Sequence, residues 1–327
     1  MALNLFKKIE MQKGLFAVEK IGLIYNLLTS ILIVFMFSRM AHPLELLWER
    51  ALIAGITFAG IYLYRLAPSK FSACVRMLFQ MALLAYWYPD TFELNRFLPN
   101  LDHLFATTEA FLFGCQPAIE FCARFSDKWI SEAFNLGYFS YYPMMGIVFF
   151  YYFLYRFELF EKTSFVLAAS FFIYYLIYVF IPVAGPQYYF PTIGLENVSI
   201  AHFPSIGEYF NFHQELLPAP GGHDGFFYNL VESSQKAGER PTAAFPSSHV
   251  GISTILMIMA FRGNKILFSC LIPFYFLLCC STVYIQAHYL IDAIAGVVSA
   301  ILIYYLTTWM YKKWFRSPMF SLGDSPQ

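Results

Sequence analysis

The sequence predicts an all-α membrane protein, a polytopic transmembrane helical bundle of about eight spans. Its 327 residues are 59% hydrophobic and only 13% charged, whereas soluble domains carry about 25% charged residues. Apolar runs recur from Ile21 to Trp309, so we expect one membrane-embedded domain over residues 21–311. A cytoplasmic N-terminal segment, residues 1–20, and a cytoplasmic tail, residues 312–327, are expected to flank it.

The apolar runs define the individual spans. A membrane-spanning helix needs about 20 mostly apolar residues. The predicted spans, in order, are 21–38, 47–64, 73–89, 136–155, 163–183, 249–262, 265–286 and 289–311. The second is interrupted by Glu49 and Arg50, and the sixth is short unless its first turn lies within the membrane.

The positions of Lys and Arg orient the bundle, because cytoplasmic loops carry an excess of these residues. With a cytoplasmic N-terminus, eight spans place both chain ends on that side. Most of the 21 Lys and Arg residues then lie in cytoplasmic segments, which are 1–20, 65–76, 156–162, 262–265 and 312–316. The membrane is either a bacterial inner membrane or a Golgi-type membrane. The net charge is zero, and no basic stripe suggests nucleic acid.

Two long connections lie on the non-cytoplasmic side in this topology. Residues 90–135 have an apolar spacing that predicts short interfacial helices on the bilayer surface. Residues 184–248 are rich in Pro, Gly and Tyr. This stretch is too aromatic to be disordered, so we expect it to form a structured lid.

His288 and Asp292 stand at the start of the last apolar run. Ionisable groups at membrane depth are costly and usually functional. Four residues apart on a helix, the two side chains share one face. A carboxylate that accepts the imidazole Nδ1–H would fix the tautomer and leave Nε2 able to attack phosphorus. The alternative is a polar pair that stabilises helix packing.

His249 stands at the start of another apolar run, directly after Ser247 and Ser248. Ser is a favoured N-cap, and a helix start offers amides and a positive dipole end to an anion. Both serines are therefore candidate phosphate-binding residues, and the imidazole would protonate a departing alkoxide. The alternative is a capped helix with an interfacial histidine. Both helices begin on the non-cytoplasmic face, so His249 and His288 share a depth near the lipid phosphates.

Phosphoryl transfer requires neutralisation of charge, and the segment before His249 supplies two cations. Arg240 is the first candidate and Lys236 the second, with solvated loop positions as the alternative. Tyr188 and Tyr142 are candidates to contact a headgroup, although tyrosines of this kind commonly serve in a belt or core. The two imidazoles and the carboxylate would also suit a metal ion. Their placement at helix starts favours an anion instead.

Two blocks around the histidines resemble the type-2 phosphatidic acid phosphatase superfamily. The block FPSSH at 245–249 matches its FPSxH pattern. The block STVYIQAHYLID at 281–292, followed by Ala295-Gly296, matches its STxYxxxHYxxDxxAG pattern and adds Tyr284 to the candidate phosphate-binding residues. More narrowly, the chain resembles the inositol phosphorylceramide synthases targeted by aureobasidin and their bacterial relatives.

The resemblance implies a six-helix catalytic core with two further spans, and neither a metal nor another cofactor. It implies that His288 attacks a phospholipid phosphorus to form phosphohistidine, that Asp292 orients and charges it, and that His249 protonates the leaving oxygen. His249 then acts as base toward an acceptor. The implied substrates are a phosphatidylinositol-like donor and a ceramide-like acceptor, with diacylglycerol as the released product.

The chain departs from the wider superfamily at two points. The superfamily pattern SRxxxxxHxxxD has an arginine where this chain has Thr282, an absence that the synthase branch shares. Of the upstream KxxxxxxRP element only Arg240-Pro241 remains. Both departures favour a transferase. Two alternatives stay open, a lipid phosphate phosphatase that uses water and a non-catalytic lipid-binding or transport protein, and the sequence leaves the oligomeric state open.

Overall fold

The computed structural model describes residues 5–6, 8–9, 13–216 and 225–315. Within these residues the protein is helical and contains no β-strand. The predicted all-α class is therefore confirmed. Most of the predicted cytoplasmic tail and part of the predicted N-terminal segment lie outside the described residues.

The α-helices are numbered in chain order. They are α1 Ala17–Phe35, α2 Pro43–Leu66, α3 Lys70–Asn95, α4 Asp102–Phe113, α5 Pro117–Arg124, α6 Lys128–Phe139, α7 Tyr141–Tyr155, α8 Phe157–Phe180, α9 Pro186–Ile193, α10 Leu195–Ser199, α11 Phe226–Gly238, α12 Ser248–Gly263, α13 Lys265–Tyr284 and α14 Leu290–Met310. A π-helical turn at Tyr311–Phe315 follows α14.

Five helices of the described chain are long and apolar enough to cross a membrane. They are α1, α2, α8, α13, and α14 together with its π-helical turn. Three further predicted spans are helices as well, but α7 has only 15 residues and α12 only 16, while α3 is long enough but more polar. The count of eight spans therefore stays a prediction.

The predicted fourth span, residues 136–155, is two helices in the structure. Helix α6 ends at Phe139 and α7 begins at Tyr141. Between them the hydroxyl of Ser140 donates to a backbone carbonyl of the preceding turn at 2.6 Å. Pro143 in the first turn of α7 lacks an amide N–H, so the helical hydrogen-bond pattern is interrupted there.

The chain forms two compact units. The first comprises residues 1–87, 148–172 and 303–327. Its described interior contains a buried ion pair, in which Arg76 donates from Nε and Nη2 to the carboxylate of Glu19 at 2.8 and 2.5 Å. A charge pair at this depth needs such direct contacts, because each ion alone is costly to bury.

The charged residues that interrupt the second predicted span are paired inside the first unit. Arg50, only 2% exposed, donates from Nε to the Thr29 hydroxyl at 3.2 Å and lies over the Trp87 ring at 5.4 Å. Glu49 accepts a hydrogen bond from the Tyr86 hydroxyl at 2.6 Å. Because both groups have partners, α2 accommodates them within one continuous helix.

The second unit comprises residues 88–147 and 173–302. Helix α13 packs against α6 and α12. Close approach depends on small residues: a Cβ at Gly137 would lie 2.8 Å from the α13 backbone, and one at Gly296 on α14 would lie 2.7 Å from the carbonyl oxygen of Ser247. These contacts bring the start of α14 against the start of α12.

Candidate active site

The two predicted histidines lie side by side in the second unit. The ring centroids of His249 and His288 are 5.9 Å apart, with their planes at 62°. His249 is the second residue of α12, and His288 lies in the connection between α13 and α14. Helices α12 and α13 are joined by the single residue Asn264 and run in opposite directions, so the end of α13 returns the chain to the start of α12.

The turn that presents His249 is held by buried contacts. The Ser247 hydroxyl accepts the amide three residues further on at 3.3 Å, as an N-cap. The Tyr178 hydroxyl accepts the Ser248 amide at 3.0 Å and donates to the carbonyl of Pro246 at 2.9 Å. In this first turn only the His249 amide has no partner among the described residues. Of the amides predicted to bind an anion at this helix start, only that of His249 is therefore available to donate a hydrogen bond.

Aromatic rings hold the imidazole of His249. The ring stacks on Tyr138, with centroids 4.6 Å apart and planes at 28°, and packs beside Tyr141 at 4.5 Å. Both tyrosines are buried. Within the described chain neither nitrogen of His249 has a hydrogen-bond partner, so packing fixes the ring and leaves both nitrogens available for chemistry.

The imidazole of His288 is oriented by a backbone carbonyl. Its Nδ1 lies 2.8 Å from the carbonyl oxygen of Ala244. A carbonyl only accepts, so Nδ1 carries the proton and Nε2 the lone pair. Burial lowers the pKa of His288 to about 4, against the opposing influence of the Glu239 charge and the Ala244 hydrogen bond. The ring is therefore neutral at neutral pH.

Asp292 does not make the predicted hydrogen bond to His288. Its Oδ2 lies 3.8 Å from His288 Nδ1, beyond hydrogen-bond distance, because α14 begins only at Leu290 and His288 precedes its first turn. Instead Asp292 Oδ2 accepts the Tyr289 amide at 2.9 Å. The Asp292 carbonyl accepts the Ser247 amide at 3.0 Å, which links the starts of α12 and α14.

A second carboxylate, missed by the sequence reasoning, caps α14. Glu109 on α4 is fully buried, and its Oε1 accepts the amides of Leu290 and Ile291 at 2.6 and 3.3 Å. Burial raises the pKa of Glu109 to about 7, and the negative charge of Asp292 acts in the same direction. The sequence signal that could have identified it is a lone acid in the otherwise uncharged run ATTEAFLF.

Asp102 holds Tyr289, the residue directly after His288. Its carboxylate accepts four hydrogen bonds: from the amides of Ala184 and Gly185 at 2.6 and 2.8 Å, from the Asn100 side chain at 2.6 Å and from the Tyr289 hydroxyl at 3.0 Å. Asp102 thereby links Tyr289 to residues 184–185, which directly precede α9.

Glu239 is the other acid that the sequence reasoning missed. Its carboxylate accepts from the Tyr88 hydroxyl at 3.2 Å and lies close enough to His288 for their charges to interact. Burial raises the pKa of Glu239, while its electrostatic interaction with His288, the Tyr88 hydrogen bond and the Arg240 charge lower it. The residue is half-buried.

The predicted cations differ in position. Arg240 is half-buried, and its Nη1 donates to the carbonyl of Glu239 at 2.8 Å. Its charge also acts on the buried Tyr188 hydroxyl. Lys236 forms an exposed pair with Glu232, at 3.1 Å on α11. Arg240 therefore lies within electrostatic range of Tyr188, whereas Lys236 lies on the surface.

The remaining tyrosines are placed less directly. Tyr284 is fully buried, its hydroxyl donates to the carbonyl of Phe125 at 2.8 Å, and its ring stacks on Phe134 at 4.4 Å. Its hydroxyl proton is therefore already donated to the backbone, and its role as a phosphate ligand stays a prediction. Tyr142 is 44% exposed. Its ring packs beside Tyr141 at 5.5 Å, and Tyr141 in turn packs beside His249.

Comparison with known families bears on the region that contains this site. A family model described as the PAP2 superfamily matches residues 102–306, well over half of the 327 residues. The chain belongs to the PAP2 superfamily. No curated protein and no solved structure matches it. The superfamily predicted from the two histidine blocks is thereby confirmed, and both histidines and Asp292 fall within the matched range.

Membership in the PAP2 superfamily indicates the general class of the protein. Together with the five apolar helices, it identifies an integral membrane protein. It also supports an enzyme of the lipid phosphatase or phosphotransferase type, with lipid substrates. Among the described residues of this PAP2 protein, no group of three His, Cys, Asp or Glu side chains is placed to hold a metal ion.

Proposed function

We propose that this PAP2 protein is a lipid phosphotransferase that moves a phospholipid headgroup, phosphoinositol as first choice, to ceramide. The observation that carries the proposal is the pair of imidazoles with centroids 5.9 Å apart. One ring has its tautomer set by the Ala244 carbonyl, and the other has no competing hydrogen bond within the described chain. A phosphoryl group between them would meet a nucleophile on one side and an acid on the other.

In the first half-reaction Nε2 of His288 attacks the phosphorus of the donor. A bond forms between Nε2 and phosphorus while the bond from phosphorus to the glycerol oxygen breaks. His249, in its protonated form, gives its proton to that oxygen, so diacylglycerol leaves as a neutral alcohol. His288 retains its Nδ1 proton on the Ala244 carbonyl and becomes a positively charged phosphohistidine.

In the second half-reaction the ceramide hydroxyl attacks the same phosphorus. His249, neutral after the first step, accepts the hydroxyl proton while the bond from phosphorus to Nε2 breaks. The product is inositol phosphorylceramide, and both histidines return to their starting protonation states. No proton is gained or lost over the cycle.

Two carboxylates support the charged intermediate. Asp292 lies 3.8 Å from Nδ1 of His288, and Glu239 interacts electrostatically with the same ring. Negative charge on either side of a phosphohistidine stabilises its positive imidazole. Arg240 is the cation proposed to balance the phosphate, because it lies beside Glu239 and is the half-buried one of the two predicted cations.

We place this chemistry on the non-cytoplasmic face, as the Lys and Arg distribution predicts. The starts of α12 and α14 both lie beside the imidazole pair, as expected if the two histidines share one membrane face. Residues 184–216 and 225–248, which contain α9, α10 and α11, would lie over the site there. Such a cover would limit water, which competes with ceramide for the phosphohistidine.

The experiment that tests the proposal uses purified protein and phosphatidylinositol labelled in the inositol ring, with and without ceramide. We expect labelled inositol phosphorylceramide to appear only with ceramide. His288→Ala should abolish its formation, and His202→Ala, an exposed histidine of the same unit, should leave it unchanged. Headgroup release that does not depend on ceramide would assign the protein as a phosphatase instead. Full activity of His288→Ala would rule out the catalytic role.

A further inference from the structure

An apolar cavity of about 370 Å³ lies within the second unit. Its lining side chains come from α5, α12, α13 and α14, and the thiols of Cys279 and Cys280 are their only polar groups. Ligand sites commonly have volumes of about 300–1,000 Å³, so the cavity has the size of a small binding site. None of the candidate catalytic residues lines it.

Along the helix axes, the cavity reaches the level of the two histidines. Its wall includes Val250, the residue after His249, and Leu290, two residues after His288. From Leu290 the wall continues along α14 to Val297. Seven residues of helix correspond to about 10 Å. The cavity therefore extends along the helix axis from the level of the candidate active site.

The cavity also reaches the outer surface of its helices. Ile294, which lines it, is 51% exposed, and both α13 and α14 are apolar enough to span a membrane. The outer surface of such helices faces lipid hydrocarbon. A hydroxylated headgroup would find almost no hydrogen-bond partners in this lining, and burying unpaired polar groups is costly. A hydrocarbon chain would leave no polar group unpaired.

We propose that this cavity binds an acyl chain of the glycerophospholipid donor while the donor's phosphate lies between His249 and His288. The identity of the donor rests on the proposed function. The donor is favoured over ceramide because ceramide reacts only after His288 is phosphorylated, and the cavity is already formed in the resting protein. Binding of the remote chain would then help to hold the reacting phosphate in place.

Photolabelling tests the location of the chain without requiring turnover. A phosphatidylinositol with a diazirine in the first half of one acyl chain is irradiated with wild-type protein and with His288→Ala, and the labelled peptides are identified by mass spectrometry. We expect label within 279–297 in both proteins. A ceramide with the same diazirine serves as the comparison. Phosphatidylinositol label confined to other helices, no label at all, or label in 279–297 from the ceramide alone would overturn the inference.

A matched pair of substitutions tests whether the chain contributes to reactivity. Val297 lines the cavity, whereas its neighbour Val298 is 56% exposed on the outside of the same helix. Val297→Phe should lower kcat/KM for long-chain phosphatidylinositol about tenfold, the factor expected when contact with about two methylene groups is lost. A short-chain phosphatidylinositol should react equally with both proteins. Equal loss in Val298→Phe, or no loss in Val297→Phe, would contradict the inference.

The two tests separate this inference from the proposed function. Label within 279–297 in a protein that does not transfer the headgroup would support the cavity as a chain site and refute the transferase. Ceramide-dependent transfer with label elsewhere would support the transferase and refute the chain site.

Discussion

At the residue scale, the nucleophile candidate is oriented by the backbone rather than by a carboxylate. His288 donates from Nδ1 to the Ala244 carbonyl at 2.8 Å, and Asp292 stands 3.8 Å away. The tautomer needed for attack is therefore set before the carboxylate contributes. In this arrangement Asp292 acts mainly on the charge of the intermediate, since a full negative charge nearby favours a cationic ring.

Replacing Asp292 by Asn separates its charge from its hydrogen bond. The amide oxygen of Asn can still accept the Tyr289 amide, so we expect the fold to be retained. Loss of the charge should lower kcat by roughly 10²–10⁴, the scale seen when a carboxylate beside a catalytic histidine is lost. Turnover measurements together with thermal unfolding in detergent check both parts. A stable Asn variant with wild-type turnover would remove Asp292 from the mechanism.

The pH dependence of kcat/KM tests the electrostatic interaction between Glu239 and His288. His288 must be neutral to attack, and its pKa is lowered to about 4, so its protonation reduces kcat/KM only as the pH falls toward that value. The Glu239 charge raises the pKa of His288. Glu239→Gln should therefore move the acid limb of the profile to lower pH.

Glu232→Gln is the matched control for this profile. Glu232 also lies in the segment before α12, but it forms an exposed pair with Lys236 on the surface of α11. We expect its acid limb to coincide with that of the wild type. An acid limb that moves to higher pH in Glu239→Gln, or that moves equally in both variants, would refute the electrostatic interaction between Glu239 and His288.

At the scale of elements, the site depends on how closely the starts of α12 and α14 approach. Gly296 on α14 faces the Ser247 carbonyl, and a Cβ there would lie 2.7 Å from that oxygen. Gly296→Ala should push the two helix starts apart and lower kcat at least tenfold, since small misplacements of reacting groups are costly. Gly146→Ala on α7, where a Cβ meets nothing within 4 Å, should leave kcat unchanged. Comparable kcat values for the two variants would contradict this packing role.

The start of α14 also depends on Glu109 as a cap supplied by α4. Glu109→Ala would leave the Leu290 and Ile291 amides without their acceptor. We expect a loss of about 1 kcal/mol in unfolding free energy, as for other lost caps, and a lower kcat because His288 and Asp292 flank this turn. Glu120→Ala on the exposed side of α5 is the control. Denaturant unfolding checks the first effect, and equal stability of the two variants would show that the cap is dispensable.

At the scale of the whole molecule, much of the architecture follows from hydropathy. The apolar runs predict the helices, and the residue patterns at 245–249 and 281–292 predict which helix starts meet. These features depend on local sequence, which is why they can be read from it. The break at Ser140 was missed because the surrounding residues remain apolar on both sides, so hydropathy gives no sign of it.

The parts of the site that the sequence did not predict depend on contacts between distant segments. Glu109 is 181 residues from the Leu290 amide that it caps, and Ala244 is 44 residues from the imidazole that it orients. A backbone carbonyl has no side-chain signature at all. The hydrogen bond from His288 to Asp292 was predicted on the assumption that both lie on one helix, and the later start of α14 removes that assumption.

The most direct test of the central claim is to trap the covalent intermediate. Wild-type protein is mixed with phosphatidylinositol labelled in its phosphate, without ceramide, quenched rapidly at alkaline pH and digested for mass spectrometry. Two imidazoles on either side of one phosphate predict label on His288 and none on His249, with equimolar release of diacylglycerol. Diacylglycerol release with label on another residue, or on none at any time before turnover, would contradict the account.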